Sequence, residues 1–330
     1  MDATRRSFLG MVGAAATTAA ATASAAPSKP AAGTAFVKPA PKFYVAAVTP
    51  CDSKYRFDEA LYRDMMPYFK ERGADGVVVL GTTGEFPMFS CLERKKVAET
   101  ALKHKSGLEI IVQVGTPNLP ETMDLQAHAT ANGAEGVLCI PPFYYKNPST
   151  EGLYKYYSQI LEAARIPVYL YHIPGTSAVP ISVELLHKLE HYPMLAGIKD
   201  STGNAEGYAT FVKEFPKLNM MSGTDNNIPA ALAAGNGAIL MGGNLFTRQS
   251  AAVFQAHREG KDTADAMAKL RAAGALLRGG TRGSDGIPQI KAALAGLGLR
   301  DSFSRPPHLD LTDEEKAALK PKVAQLAALA

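Results

Sequence analysis

Tryptophan is missing from this 330-residue sequence, and cysteine occurs only three times, as Cys51, Cys91 and Cys139. The three lie far apart, with no CxxC pair and no adjacent histidine. A disulfide framework, a zinc ribbon and a local Cys/His nucleophile therefore have no basis, and small buried hydrophobes remain as the reading. No apolar run reaches the roughly 18 residues that a membrane-spanning helix needs, so no membrane partner is expected. The net charge is only +4 and no block of one sign is interleaved with aromatics, which leaves a nucleic-acid partner without support. His187 and His191 stand four apart on an expected helix, but no third ligand accompanies them, so no metal is expected. Gly279–Gly286, with Arg282, is glycine-rich yet follows a helix rather than a strand, which argues against a phosphate-binding loop.

What is present begins with an address. Thr4-Arg5-Arg6-Ser7-Phe8-Leu9 precedes an alanine-rich apolar run that ends at Ala23-Ser24-Ala25, a small-x-small cleavage pattern. A basic start, a short apolar middle and this ending describe a signal peptide over residues 1–25, and the paired arginines resemble the twin-arginine export signal. The plainer alternative is a disordered alanine-rich tail. Residues 26–41 are rich in Pro, Ala and Lys and read as a linker. The mature protein is expected in the periplasm.

From residue 42 to residue 258 short apolar runs alternate with helical periodicity. Strands are expected at Tyr44–Thr49, Val77–Leu80, Ile110–Val114, Gly136–Ile140, Pro167–Tyr171, Ala196–Lys199, Asn219–Ser222 and Ala238–Met241. Asp58 is placed to cap a helix that Gly73 stops, and Ser90-Cys91-Leu92-Glu93 reads as a capping box. Gly73-Ala74-Asp75-Gly76-Val77 is echoed sixty residues later by Gly133-Ala134-Glu135-Gly136-Val137, the offset of two βα units. Eight such units predict a closed (β/α)₈ TIM barrel, an α/β fold, with an open doubly wound sheet as the alternative. Residues 259–330 are expected to be helical to the end, the last helix opening at Thr312-Asp313-Glu314-Glu315.

Reactive residues of such barrels sit at the C-terminal ends of strands. Lys199 is expected to close the sixth strand, where an apolar setting makes a charged lysine costly unless its amine serves as a nucleophile. The plainer reading is a lysine paired with Asp200. Tyr171, closing the fifth strand, can shuttle protons or simply edge the core. Gly81-Thr82-Thr83-Gly84-Glu85, after the second strand, can cradle a carboxylate or be an ordinary glycine-rich turn.

Together with Tyr171-x-x-Pro174-Gly175 and Gly197-Ile198-Lys199-Asp200-Ser201-Thr202-Gly203-Asn204, this loop resembles the dihydrodipicolinate synthase/N-acetylneuraminate lyase family of class I pyruvate-dependent aldolases. Pro142-Phe143-Tyr144-Tyr145 with Glu151-Gly152-Leu153 matches the same family, and the likeness runs from about Lys42 to His257. The resemblance implies that Lys199 forms a covalent imine, so that no external cofactor is needed. It further implies that Tyr171 moves protons, and that Thr82 links Tyr171 to Tyr145 of a neighbouring subunit. Thr82 and Thr83 would hold the carboxylate of pyruvate or another 2-oxo acid, and the backbone of Ile239 would touch it. Where the lyase branch contacts its substrate with Gly-x-Asp-Glu, Gly223-Thr224-Asp225-Asn226 keeps Asp225 and replaces the Glu, so that Asp225 can bind hydroxyls of a polyol acceptor or be a solvated loop aspartate. A homo-oligomer, dimer or tetramer, also follows.

Two departures bear on the substrate. The synthase branch carries an arginine where this chain has Thr176, and threonine cannot replace the bidentate fork that grips a carboxylate. His172 stands where asparagine is usual. The expected activity is thus a lyase that makes or cleaves the bond between a 2-oxo acid and an aldehyde, on a 4-hydroxy-2-oxo acid or deoxy sugar acid. The alternatives are a 4-hydroxy-tetrahydrodipicolinate synthase, joining pyruvate to L-aspartate-4-semialdehyde, and a non-catalytic periplasmic sensor of 2-oxo acids.

Overall fold

The computed structural model describes residues 35–277 and 286–329, all within the compact unit that begins at Gly33. The signal segment, residues 26–34 of the expected linker and Gly279–Asp285 lie outside the described residues.

Eight parallel strands form a barrel in chain order: β1 (Phe43–Ala46), β2 (Gly76–Val79), β3 (Glu109–Gln113), β4 (Gly136–Cys139), β5 (Val168–His172), β6 (Leu195–Asp200), β7 (Asn219–Ser222) and β8 (Ala238–Leu240). β8 returns to pair with β1, which closes the sheet. The runs are apolar on both faces because one face fills the barrel and the other is covered by helices. All the residues of β1, β2 and β4 are buried.

Around the barrel pack α1 (Glu59–Glu71), α2 (Cys91–Lys103), α3 (Leu119–Ala131), α4 (Thr150–Ala163), the short α5 (Pro174–Ser177), α6 (Val183–Leu189), α7 (Ala205–Glu214), α8 (Ile228–Ala233) and α9 (Thr247–Arg258). The expected start signals are in place. The Asp58 carboxylate accepts from the Leu61 amide, and Ser90 with Glu93 forms a reciprocal capping box. Beyond the barrel come α10 (Ala264–Leu277), α11 (Gly286–Gly296) and α12 (Asp313–Ala328).

Apart from shifts at strand ends, two details differ from the sequence expectation. The C-terminal region is not helical throughout. Residues 297–312 are irregular and cross back to the barrel, where the Phe303 amide donates to the Cys51 carbonyl at 2.9 Å. The helical path ends just after α11 at Gly298, whose φ of 102° a side chain would resist. At the other end, residues 36–41 are already docked under the barrel. The Phe36 amide donates to Pro193 O at 2.7 Å, and Lys38 Nζ reaches Ala234 O at 3.0 Å. Both acceptors precede strands, so this segment crosses the N-terminal face, away from the reactive end.

Candidate active site

Strand alternation sorts the residues at the C-terminal ends of β5 and β6 into two sets. Lys199 pairs in register with Tyr171, and Asp200 with His172. Asp200 follows Lys199 on β6 and therefore sits at its end, one residue beyond the expected close. The Asp200 Oδ1 atom accepts from the Thr202 amide at 2.7 Å and from the Thr202 hydroxyl at 2.6 Å. It is thus committed to its own turn, and Lys199 forms no ion pair with a carboxylate among the described residues.

Lys199 is 5% exposed, and its Nζ donates to the Tyr171 hydroxyl at 3.3 Å. The amine also stands 4.4 Å from the centre of the Tyr171 ring. A buried lysine without a counter-ion is expensive, and such an arrangement persists in folded proteins where the amine is used. Gly197 makes the geometry possible, though not by leaving room beside Lys199 itself. Its φ is 144°, and a side chain there would come within 2.1 Å of the Asn219 carbonyl on β7. The glycine lets two strands approach closely, and that sets the position of Lys199 two residues later.

The Tyr171 phenol is 2% exposed and also takes a hydrogen bond from Thr82 Oγ1 at 3.4 Å. Burial alone would push the phenol upward. The charge of Lys199 and hydrogen bonds with Thr82, Ser201 and Lys199 outweigh it, so the phenol sits below the ordinary tyrosine range. Ser201 was not singled out from the sequence; its place directly after Lys199-Asp200 at a strand end is the signal that could have found it. The structure therefore brings Lys199, Tyr171 and Thr82 into one hydrogen-bonded chain.

Thr82 and Thr83 lie in a tight loop after β2, closed by Gly84 N–H to Gly81 O at 3.0 Å and by Glu85 N–H to Thr82 O at 3.0 Å. Among the described residues the amides of Thr82 and Thr83 donate to no protein acceptor, and Thr83 is buried. Both ends of the loop are left-handed, with φ of 59° at Leu80 and 56° at Glu85. A non-glycine residue in that region costs about 1 kcal/mol, so the surroundings must hold the loop in place. The sequence did not mark Glu85 as anything beyond the end of a motif. It is fully buried, and its carboxylate is ion-paired with Lys291 of α11.

The remaining candidates surround the mouth without joining the chain. Ile239 is buried in β8, paired in register with Tyr44. The Gly223 amide donates to Asp200 O at 2.7 Å, and a side chain at Gly223 would collide with Ser201 Oγ. Asp225, half-buried, lies near Gly242: a β-carbon on that glycine would stand 3.9 Å from Asp225 Oδ2. Thr176 is exposed on α5. Tyr145 is 79% exposed and packs edge-on against Tyr144 at 5.2 Å, while the Thr82 hydroxyl bonds Tyr171. Its loop is nevertheless anchored beside the threonine loop, because the Phe143 ring meets Phe86 edge-on at 5.8 Å.

His172 has a structural account. Its Nδ1 accepts from the Ile181 amide at 3.0 Å, so a neutral ring carries its proton on Nε2. Burial holds it below the ordinary histidine value, against the opposing pull of Asp200. His187 faces Glu190, and His191 packs on the Tyr192 ring at 4.2 Å. Among the described residues no three His, Cys, Asp or Glu side chains converge as metal ligands.

The same barrel recurs in known proteins. The profile of the dihydrodipicolinate synthetase family matches residues 40–326. The chain belongs to this family. The match runs past residue 258, so the C-terminal helices fall inside it. A DapA-like lyase of uncharacterised role from Chloroflexus aurantiacus is 35% identical over 77% of this chain and 85% of its own length. A 4-hydroxy-tetrahydrodipicolinate synthase from Syntrophotalea carbinolica is 30% identical over 84% of this chain and 94% of its own. The crystal structure of YagE, a prophage protein of the family from E. coli K12 solved with pyruvate, superposes with a TM-score of 0.80. It is 25% identical, covering 87% of this chain and 98% of that one. This dihydrodipicolinate synthase-family chain is accordingly an enzyme of the lyase and aldolase class.

Proposed function

We propose that the protein is a Schiff-base aldolase that joins pyruvate, or a related 2-oxo acid, to a hydroxylated aldehyde, or cleaves the product of that union. One observation carries the reading: a buried lysine with no carboxylate partner among the described residues, hydrogen-bonded to a phenol that is itself bonded to a threonine, at the reactive end of a closed barrel. The Lys199 amine attacks the ketone carbon, the carbinolamine loses water, and the resulting imine withdraws electrons from the bond to C3. Loss of a C3 proton gives an enamine, whose carbon adds to the aldehyde. Hydrolysis of the new imine frees the product and restores the amine. Tyr171 accepts and returns the protons at 3.3 Å from the nitrogen, with Thr82 orienting it. The amides of Thr82 and Thr83 bind the carboxylate, and Ile239 contributes its backbone beside them. The imine supplies the electron sink, so the reaction requires no external cofactor.

The acceptor is read from what surrounds the mouth. Thr176 offers a hydroxyl where a carboxylate-gripping cation would be required, and Asp225 and the Gly223 turn belong to the same end of the barrel. These groups suit hydroxyls better than a second carboxylate, which favours a 4-hydroxy-2-oxo acid or deoxy sugar acid. The names of several relatives support a second reading, 4-hydroxy-tetrahydrodipicolinate synthase. Robust cyclised product from pyruvate and L-aspartate-4-semialdehyde would decide for it.

The chemistry is tested by borohydride reduction in the presence of pyruvate, followed by peptide mass analysis. A pyruvate-derived adduct on Lys199 is expected, and Lys199→Ala should lose it while keeping the wild-type circular dichroism spectrum. Trapping on another lysine, or none, would refute the proposal. We further propose that the enzyme is exported in folded form. Replacing Arg5 and Arg6 by lysine should leave it in the cytoplasm, and unaltered export of that variant would count against a twin-arginine signal.

A further inference from the structure

α11 buries a face formed by Ile287, Ile290, Lys291 and Leu294, so a lysine lies on the apolar side of a helix. Its side chain is 1% exposed and that of Glu85 is 0% exposed, and the two form an ion pair. Lys291 Nζ also donates to Phe303 O at 2.8 Å. The second oxygen of Glu85 accepts from the Arg305 amide at 3.1 Å. Arg305 in turn donates to Met88 O at 2.6 Å, pairs with Glu93 at 2.5 Å, and lies 3.9 Å over the Phe89 ring. Residues from the far end of the chain thus grip both the last residue of the threonine loop and the turn that follows it.

Burying two charges is costly, and a well-packed apolar pair would often fold as stably. The placement of this pair therefore asks for another reason. Glu85 lies two residues from Thr83, at the strained end of the loop whose Thr82 and Thr83 amides donate to no protein acceptor among the described residues. An unpaired carboxylate there would repel the carboxylate of a 2-oxo acid; an unpaired ammonium would attract it.

We propose that Lys291 and Glu85 are a positioning pair for the carboxylate cradle. Lys291 cancels the charge of Glu85, and the segment carrying Phe303 and Arg305 fixes the loop, so the C-terminal region is part of the substrate-binding apparatus. This rests on the Schiff-base reading above, because the cradle is read as the seat of the 2-oxo acid carboxylate.

The test measures the pyruvate concentration that half-saturates borohydride trapping in full-length Lys291→Met, Glu85→Gln and the double variant. Lys291→Met leaves a lone negative charge beside the loop, and its half-saturating concentration should rise about tenfold or more, the direction set by like-charge repulsion in a partly desolvated site. Glu85→Gln leaves a lone positive charge, and its value should stay level or fall. The double variant should return to within about threefold of wild type, since the pair interaction is then absent altogether. A mere loosening of the fold would raise the value in both single variants, and that result, or an unchanged Lys291→Met, overturns the proposal. If Lys291→Met does not fold, Glu85→Gln decides: a tenfold rise overturns it and no rise supports it. Wild type that fails to trap pyruvate refutes the Schiff-base reading instead, so the two failures are distinct.

Discussion

At the scale of single residues, the decisive feature is that Lys199 bonds to a phenol and not to an acid. The plainer expectation, a salt bridge to Asp200, fails because consecutive strand residues face opposite ways and Thr202 claims that carboxylate. In the proposed mechanism Tyr171 carries the proton traffic. Tyr171→Phe should slow turnover by roughly a hundredfold or more, the usual loss when a positioned proton-transfer group is removed. The pH dependence has a defined sign. Lys199 and its hydrogen-bonding neighbours hold the phenol below the ordinary value of about 10, so the ionisation of Tyr171 should appear in the rate profile on the acidic side of that value. Ser201→Ala removes one of those bonds and should move the feature toward alkaline pH. A profile of kcat/KM against pH checks both. A feature that stays at about 10, or survives in Tyr171→Phe, would take Tyr171 out of the proton path.

At the scale of elements, the strands were readable because each is a short apolar run closed by a turn residue, and all eight expected strands are present. Ends were less readable. Thr49 was expected to close the first strand, but pairing stops at Ala46. What could not be read was pairing across distance: Glu85 follows β2 while Lys291 lies beyond β8, and no local pattern links them. The one visible signal was a lysine on the apolar face of α11, with Ile287, Ile290 and Leu294. The start of α2 gives a prediction of its own. Glu93 closes the capping box and binds Arg305, and the Arg305 hydrogen bond above all holds its carboxyl down to about 2, against the opposing effect of burial. The unfolded value is about 4.3, so the stability contributed by its ionised form is complete above that pH and is lost as pH falls toward 2. Glu93→Gln keeps the capping bond to Ser90 but cannot ionise. Denaturant midpoints should therefore show wild type more stable near neutrality, with the gap closing under acid. A gap indifferent to pH would assign the difference to packing.

At the scale of the whole molecule, a single chain leaves the proposed proton chain short by one group. Thr82 bonds Tyr171, yet Tyr145 stands on the surface, its ring 79% exposed beside Tyr144 at 71% exposed. Two large rings exposed side by side, on a loop pinned next to the site through Phe143 and Phe86, suit a surface that another copy covers. The role of Tyr145, like those of Ile239, Thr176, Gly223 and Asp225, came from resemblance and not from periodicity, and its placement at a neighbouring site needs a second copy of the chain. If Tyr145 enters the neighbouring site, Lys199→Ala and Tyr145→Phe should each be impaired alone but complement when mixed. In a hybrid pair, the Tyr145→Phe subunit keeps Lys199, and the Lys199→Ala subunit supplies the missing tyrosine to it. One site is whole and the other lacks both groups. Co-expressed subunits carrying different affinity tags would yield purified hybrids, and their turnover should exceed that of either parent variant by a wide margin. Hybrids no more active than Tyr145→Phe itself would show that each chain works without its neighbour's tyrosine, and sedimentation as a monomer would make the same case independently.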